Sequence, residues 1–445
     1  MNIHFIAIGG AAMHNLAIAL KNKGYNISGS DDAIFEPSLS KLKQYGILPE
    51  QLGWFPEKIN NSLDAIILGM HAKKDNPELL KAQELGLKIY SYPEFLYQQS
   101  QEKTRIVIAG SHGKTTITSM VLHVLNFHHR ETDFMVGAPL EGFNCMVNIT
   151  EQNDFVVLEG DEYLSSPIDP QPKFLHYQPN VALISGISWD HINVFKTFED
   201  YLEAFRNFIA TITPGGVLVY NEEDIEVVKL VDAAENYFRR MPYKTPTYEV
   251  KNGNTYLETE MGQIPLKIFG KHNLLNLEGA RLICAQMGIL EEDFYEAIMS
   301  FEGASKRLEK VDRTDGAVVF RDFAHAPSKV KATVEAFVEK FPHENKIGFL
   351  ELHTYSSLNP EFLPNYKNTL ENLDQAIVFY DLEALKIKNM QPIAPDFIKE
   401  NFGQENLLVF TNAADLNQYW QSLTKNNSVF LMMSSGNFGG IDLGN

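Results

Sequence analysis

The sequence predicts a three-domain α/β protein, and three observations carry that prediction. Short apolar runs recur along the chain and alternate with helical stretches, the pattern of parallel strands joined by crossover helices. Two glycine-rich turns, IAIGGAAM at 6–13 and IAGSHGKTT at 108–116, each stand between an expected strand and an expected helix. A length of 445 residues suggests roughly three domains, each large enough to bury its own core.

The elements follow in order. Ile3–Ile8 reads as a strand, Gly9-Gly10 as a turn, and the next residues as a helix running to Lys23 and stopped by Gly24. Tyr25–Ser28, DAIILGM (64–70) and LKIYSYPEF (87–95) read as further strands of a parallel sheet. The polar stretch YQQSQEKT (97–104) reads as a linker, after which RIVIAG (105–110) feeds the second glycine turn. Strands are expected at FVVLEG (155–160), VALISGI (181–187) and GVLVY (216–220). A third block after KRLEK (306–310) contains AVVFRDF (317–323), KIGFLEL (346–352), QAIVFY (375–380) and SVFLMM (428–433).

Composition narrows the function. A formal net charge of −19 argues against a nucleic-acid partner, which needs a basic face. Phosphate groups must then be captured locally, by loops. Cys145 and Cys284 are the two cysteines, expected to be buried thiols in a reducing compartment. The N-terminal MNIHFIAIGG lacks a basic segment and reads as a strand rather than a signal peptide. No apolar run approaches the ~20 residues needed to span a bilayer. The expectation is a cytoplasmic, soluble protein without a membrane partner, a monomer or weak homo-oligomer.

The second turn carries the stronger chemistry. Strict phosphate-loop spacing, GxxxxGK[ST], fails because Ile108 stands where the first glycine belongs. The shorter Gly110-Ser111-His112-Gly113-Lys114-Thr115-Thr116 keeps the physics. Backbone N–H groups and a helix N-terminus face the phosphates, Lys114 adds a positive charge, and the Thr115 hydroxyl can ligand Mg²⁺. The alternative is a plain strand–helix turn. The first turn is weaker, because a dinucleotide fingerprint would need glycines where Ala11 and His14 stand. Asp31 does occupy the place of a ribose-binding acid, but a simple βα turn fits the loop equally well. The failed fingerprint counts against a nicotinamide cofactor.

GSHGKTT, EGDE (159–162), WDH (189–191), GKHNLLN (270–276) and RDFAHAP (321–327) resemble, in this order, the motifs of the Mur ligases, and the resemblance covers essentially the whole chain. These ATP-dependent enzymes build or rebuild the cell-wall peptide on a UDP-linked sugar. The resemblance implies a Rossmann-like UDP-sugar domain at 1–101, a P-loop ATPase domain at 102–308 and a Rossmann-like ligase domain at 309–445. It thereby accounts for two nucleotide-type loops in one chain. IAIGGAAM and SGSD (28–31) look like the branch that uses UDP-N-acetylmuramate itself. HAKKDNP (71–77), KFLHYQP (173–179) and SSGNFGGI (434–441) look most like its recycling members, which attach the tripeptide L-alanyl-γ-D-glutamyl-meso-diaminopimelate. The L-alanine-adding ligases are the nearest rival.

The same resemblance implies residue roles. Gly110 to Thr116 would cradle ATP. Thr115 and Glu159 would hold one Mg²⁺ and His191 a second. His272, Asn273 and Asn276 match an adenine site, Arg307 would reach the phosphates, Asp322 matches a ribose-binding acid, and His325 lies near the reacting centre. Gly9, Gly10, Ala11, Ala12, Met13, Asp31 and His71 are expected at the UDP-sugar. Without the resemblance, Glu159 reads as a solvated loop acid, His191 as a structural histidine, and HNxxN as a helix N-cap. Three departures stand out. Muramate-using ligases often carry two adjacent histidines where this chain has His325-Ala326. Several family members carry a carbamylated lysine where this chain has Arg206. The alanine-adding ligases carry two arginines where ELHTYSSL (351–358) places Thr354 and Ser357.

Of the other readings, a folylpolyglutamate synthase would not need a UDP-sugar domain in front. A regulatory ATPase without synthetic activity sits poorly with Lys114, Glu159, His191 and Asp322 together. A nicotinamide oxidoreductase fits least.

Overall fold

Near-continuous apolar runs mark strands buried on both faces, and they assemble into mainly parallel sheets. In the computed structural model, residues 1–441 are described apart from 141, 306, 312–315, 389 and 405; the first residue of the expected KRLEK boundary, Lys306, lies outside them. Chain contacts divide the protein into two compact units.

The first unit comprises residues 1–187, 198–243 and 279–291. It holds a four-stranded parallel sheet in the order Asn26–Ser30, Asn2–Ile6, Ala65–Leu68, Ile89–Ser91. It also holds a seven-stranded sheet in the order Phe238–Tyr243, Gly216–Asn221, Val181–Ile184, Thr104–Ala109, Phe155–Gly160, Asp133–Met135, Val147–Asn148. Within this sheet the last strand alone runs antiparallel.

The second unit comprises residues 188–197, 244–278 and 292–445. Its small antiparallel sheet is built from Tyr248–Lys251, Asn254–Thr259 and Gly262–Leu266. Its six-stranded sheet runs Glu309–Val311, Val318–Asp322, Ser428–Met433, Asn345–Glu351, Gln375–Phe379, Leu408–Phe410. The first of these is antiparallel and the others parallel. Two apolar clusters cover this sheet, one around Phe320, Phe337 and Tyr366 and one around Phe349, Trp420 and Phe430. Among the described residues no helix is long and apolar enough to cross a membrane.

Several local expectations need correction. The expected strand 87–95 is a strand only over Ile89–Ser91, and Tyr92–Ser100 is a helix. Ser91 and Glu94 form a reciprocal capping box, with Pro93 in the first turn, and this overrides the β-prone tyrosines. The expected linker at 97–104 is therefore the end of that helix, a turn at 101–103 and the first residue of the next strand. The second strand is shifted to Asn26–Ser30. Cys284 is buried as expected, but Cys145 is only half-buried.

Arg105 fixes the turn that replaces the linker. Its buried guanidinium donates to the carbonyls of Ser100, Gln101 and Lys103 on one side, at 3.0–3.1 Å. On the other it donates to Tyr177 and Gln178, both at 3.0 Å. A planar fork can serve five acceptors where a single ammonium cannot. Arg105→Met is expected to lower the stability of this unit by about 3 kcal/mol or more, since it strands buried carbonyls. Urea unfolding checks this, and a loss well under about 1 kcal/mol would show that water satisfies those carbonyls instead.

Candidate active site

In the first unit, the strand Thr104–Ala109 delivers the phosphate-type loop and the helix Lys114–Phe127 continues from it. Gly110 adopts φ +131°, and a side chain there would collide with the Ser185 hydroxyl, so the turn requires glycine. Ser185 donates to the carbonyls of Ala109 and His112, and Ser111 N donates to Gly186 O at 2.9 Å. The loop is thus laced to the end of the neighbouring strand Val181–Ile184.

Lys114 Nζ donates to Gly110 O and pairs with Glu162 Oε2, each at 2.6 Å. Burial opposes its charge, yet the carboxylates of Glu162, Asp161 and Glu159 prevail and hold Lys114 above its ordinary value. Glu162 is fully buried and also accepts from Tyr201 OH at 2.8 Å, and that hydroxyl lies 2.8 Å from Ser111 Oγ. Asp161 pairs with Lys173 at 2.5 Å. Burial alone would raise its pKa, but Lys173 and Lys114 hold it well below the usual carboxylate range. Of the motif EGDE, the resemblance gives a role to Glu159 alone. Glu162 and Asp161 were legible as acids, whereas nothing in the motif pointed to their partners Tyr201 and Lys173, 39 and 12 residues further along the chain.

Glu159 is buried, not a solvated loop acid. One carboxylate oxygen accepts from the Thr115 hydroxyl and the other from Gly137 N. Burial raises its pKa despite those bonds and Lys114. Adjacent hydroxyl and carboxylate oxygens are the donor set a hard cation such as Mg²⁺ prefers, so Thr115 and Glu159 fit that ion.

The first glycine loop shares its sheet edge with two other candidates. The strands ending at Ser30, Ile6 and Leu68 run parallel in register, so Asp31, the loop Gly9–Met13 and His71 leave the sheet at one end. His71 and Ala11 are exposed, Ala12 is half-buried and Met13 is buried. Asp31 is buried, and its Oδ2 accepts from Gly9 N at 2.7 Å. In this structure it clamps its own loop.

In the second unit, the helix Lys271–Gln286 carries His272, Asn273 and Asn276. Asn273 and Asn276 are buried, and Asn273 Nδ2 donates back to Phe269 O at 2.9 Å. All three residues lie inside the helix, so the N-cap alternative does not apply to them. Asp322 ends the strand Val318–Asp322, accepting from Leu308 N and Ala324 N at 2.7 Å each and from Thr333 Oγ1 at 3.3 Å. Burial raises its pKa, with Arg307 opposing, and the Arg307 guanidinium lies 4.7 Å over the Phe323 ring.

His191 adopts φ +53°, an uncommon conformation for a non-glycine residue, and its N–H donates to Asp190 Oδ1 at 2.8 Å. Lys329 Nζ holds the other oxygen of Asp190 at 3.2 Å. Burial would raise the Asp190 pKa, but Lys329, His191 and His325 hold it far below the usual range. An imidazole suits Mg²⁺ less well than oxygen does, so Asp190 is the harder donor beside His191. Sequence reasoning missed Asp190 and Lys329, although WDH and the lysine after RDFAHAP were in view. Arg206, at the carbamate position, is exposed and pairs with Glu199 and Glu203. Among the described residues, one further group of metal-capable side chains comes together, Glu94, Asp169 and His176, but Glu94 is engaged in its capping box.

A model described as the Mur ligase middle domain matches residues 108–284, and one described as the Mur ligase family, catalytic domain, matches residues 2–104. The UDP-N-acetylmuramate–L-alanine ligase of Caldicellulosiruptor saccharolyticus is 32% identical over 412 residues, covering 88% of this chain and 87% of that protein. The chain belongs to the Mur ligase family. Two solved structures share the fold. The UDP-N-acetylmuramate-alanine ligase of Thermotoga maritima aligns with a TM-score of 0.71 and 22% identity, over 98% of this chain and 96% of that one. A murein peptide ligase from Psychrobacter arcticus aligns with a TM-score of 0.67 and 20% identity, over 99% and 97%. As a Mur ligase the chain has the family's three-domain α/β architecture and is an ATP-dependent enzyme that forms C–N bonds in peptidoglycan synthesis.

His325 gives this Mur ligase a testable signature. Its Nδ1 lies 2.8 Å from Phe323 O, so Nδ1 carries the proton and Nε2 keeps its lone pair. Burial and the nearby Lys329 push its pKa down to about 4. The unfolded ring protonates near 6.5, so between there and about 4 the unfolded chain binds the extra proton and stability falls as pH falls. NMR titration should show His325 neutral down to about pH 5, with its midpoint near 4. A midpoint near 6.5 would contradict this environment.

Proposed function

We propose that this Mur ligase activates the carboxylate of UDP-N-acetylmuramate with ATP, as an acyl phosphate, and joins it to the amine of an acceptor. The loop Gly110–Thr116 positions the triphosphate, with Lys114 on its terminal oxygens and His272, Asn273, Asn276, Arg307 and Asp322 serving the rest of the nucleotide. Thr115 and Glu159 would hold one Mg²⁺ and His191 a second, supplying charge neutralisation at the phosphoryl oxygens. Gly9–Met13, Asp31 and His71 take the UDP-sugar. Neutral His325 is too weak a base to hold a proton at pH 7, so its Nε2 orients the attacking amine as a hydrogen-bond acceptor. Use of ATP and a UDP-linked sugar puts the reaction in the cytoplasm.

The acceptor divides two readings. L-Alanine is the first, supported by end-to-end similarity to curated L-alanine ligases, and it displaces the tripeptide as the leading expectation. One local feature favours L-alanyl-γ-D-glutamyl-meso-diaminopimelate. Free alanine carries its carboxylate one carbon from the attacking amine and calls for cations beside it. The stretch 351–358 contains no arginine or lysine. Thr354 and Ser357 are already bonded to each other, Thr354 N to Ser357 Oγ at 2.9 Å and Ser357 N to Thr354 Oγ1 at 3.1 Å. In the tripeptide the alanine carboxyl is a neutral amide, which such hydroxyls tolerate.

Offering purified protein both acceptors with ATP and UDP-N-acetylmuramate decides between them. A higher kcat/KM for L-alanine supports the first reading, and little turnover with L-alanine beside efficient ligation of the tripeptide supports the second. Lys114→Ala should abolish ligation with either acceptor while UDP-N-acetylmuramate affinity, measured by calorimetry, stays within about threefold, because the loss falls on phosphate positioning. Equal loss of both in a folded variant would overturn the assignment of separate loops.

A further inference from the structure

Glu159 is held from outside the phosphate loop as well as from within it. Gly137 N donates to its carboxylate, and a methyl group at 137 would stand 2.9 Å from that oxygen, so the approach requires glycine. Gly137 begins a hairpin between the strands Asp133–Met135 and Val147–Asn148, which pair antiparallel. The preceding residue closes it, Val136 N donating to Met146 O at 2.9 Å. Met146 N in turn donates to Asn15 Oδ1 at 3.0 Å. Three hydrogen bonds, through the backbone of Val136-Gly137 and of Met146, therefore link Asn15 to the carboxylate of Glu159.

Asn15 is fully buried on the helix Ala11–Asn22, which starts at the first glycine loop. Its two amide hydrogens are committed, one to Ala11 O at 2.8 Å and one to His14 Nε2 at 2.9 Å. His14 Nδ1 then donates to Gly10 O at 2.9 Å, and burial, which lowers its pKa, keeps the ring neutral as this arrangement requires. Nδ2 also lies 3.5 Å from Met146 Sδ while Oδ1 receives Met146 N, so flipping the amide would break the bonds to Ala11, His14 and Met146 together. Gly10 and Ala11 lie in the loop assigned above to the UDP-sugar.

We propose that Asn15 is a positioning residue that couples occupancy of the Gly9–Met13 loop to the orientation of Glu159, so that a bound UDP-sugar tightens the divalent-cation site. This rests on the reading of Gly9–Met13 as the sugar loop and of Glu159 as a metal ligand. A ligand seated on Gly10 and Ala11 loads the carbonyls that His14 and Asn15 hold, and the hairpin carries any shift of Asn15 to Gly137 N. Coupling of this kind is reciprocal in binding free energy, so the cation should also tighten the sugar.

Mn²⁺ binding, read by electron paramagnetic resonance with a non-hydrolysable ATP analogue, tests the coupling without turnover. In the wild type, saturating UDP-N-acetylmuramate should tighten Mn²⁺ by about tenfold. Asn15→Leu, similar in size but without hydrogen bonds, should reduce that gain below about twofold while the affinity for UDP-N-acetylmuramate alone changes little. Val136→Pro removes one donor of the same relay away from the helix and should act alike; thermal unfolding shows which variants fold. A wild type without the gain, or a folded relay variant that retains it, overturns the coupling. A wild type that binds no UDP-N-acetylmuramate at all refutes the sugar assignment itself, and the coupling with it.

Discussion

The buried pairing of Lys114 with Glu162 is the constraint on which the geometry of the second glycine loop depends. An ammonium and a carboxylate taken out of water cost several kcal/mol each unless their remaining hydrogen bonds are met. Here they are met, by Gly110 O on one side and Tyr201 OH on the other. The pair thereby fixes the lysine against its own loop and draws Ser111 in through the same tyrosine. Asp161 and Glu159 add two more acids around one lysine, and Lys173 offsets only the first. A triphosphate would enter a region already rich in carboxylates. Lysine alone cannot neutralise that much negative charge, which is the physical reason that Thr115 and Glu159 make sense as cation ligands.

Parallel sheets explain why so many candidates gather. Every strand of such a sheet releases its loop at the carboxyl end, so residues distant in sequence meet there without long excursions. In the first unit, Gly110 and Glu159 stand at the ends of adjacent strands, with Ala109 paired to Gly160. In the second, Asp322, Ser434 and Glu351 end or follow three neighbouring strands, and Ser434 N donates to Asp322 O at 2.9 Å. The loop carrying Thr354 and Ser357 therefore leaves the same edge as the loop carrying His325.

Most of the parallel framework was legible in the sequence, because a strand buried on both faces must read as a continuous apolar run. The helix Tyr92–Ser100 was not. Its tyrosines and phenylalanine favour a strand by composition, and only the Ser91–Glu94 spacing announces a helix. The small antiparallel sheet at 248–266 was missed because its strands are short, polar and largely exposed, so they lack the apolar signature. Motifs pointed to Lys114, Glu159 and the histidines of the candidate site, but not to the partners that hold the neighbouring acids. Lys329 stands 139 positions from Asp190, and Tyr201 stands 39 from Glu162. Residue type alone also did not show that the Asp31 carboxylate accepts from Gly9 N, a contact that only the fold brings together.

The tension over the acceptor has a physical origin. Overall similarity weighs the many residues that capture phosphate, hold the sheets and bind the UDP-sugar, and those demands are shared by every ligase that starts from the same activated carboxylate. Acceptor choice rests on the few groups that meet the amine's own substituents. A desolvated α-carboxylate without a cation partner costs several kcal/mol, enough to change selectivity by more than a hundredfold. Two side chains can therefore reverse a preference without disturbing the fold or the similarity of the remaining chain. In this protein those two positions are hydroxyls that satisfy one another across a single turn, and neither brings charge to the edge where His325 stands. Replacing half-buried Thr354 with arginine would change the electrostatics at that edge with little change in the strand below, because Glu351 is anchored separately by Ser434 and Phe438 N. Ser357 is fully buried, and an arginine there would have to open the turn. On the proposed reading, acceptor specificity would be carried by a loop whose chemistry is separable from the sheet that presents it.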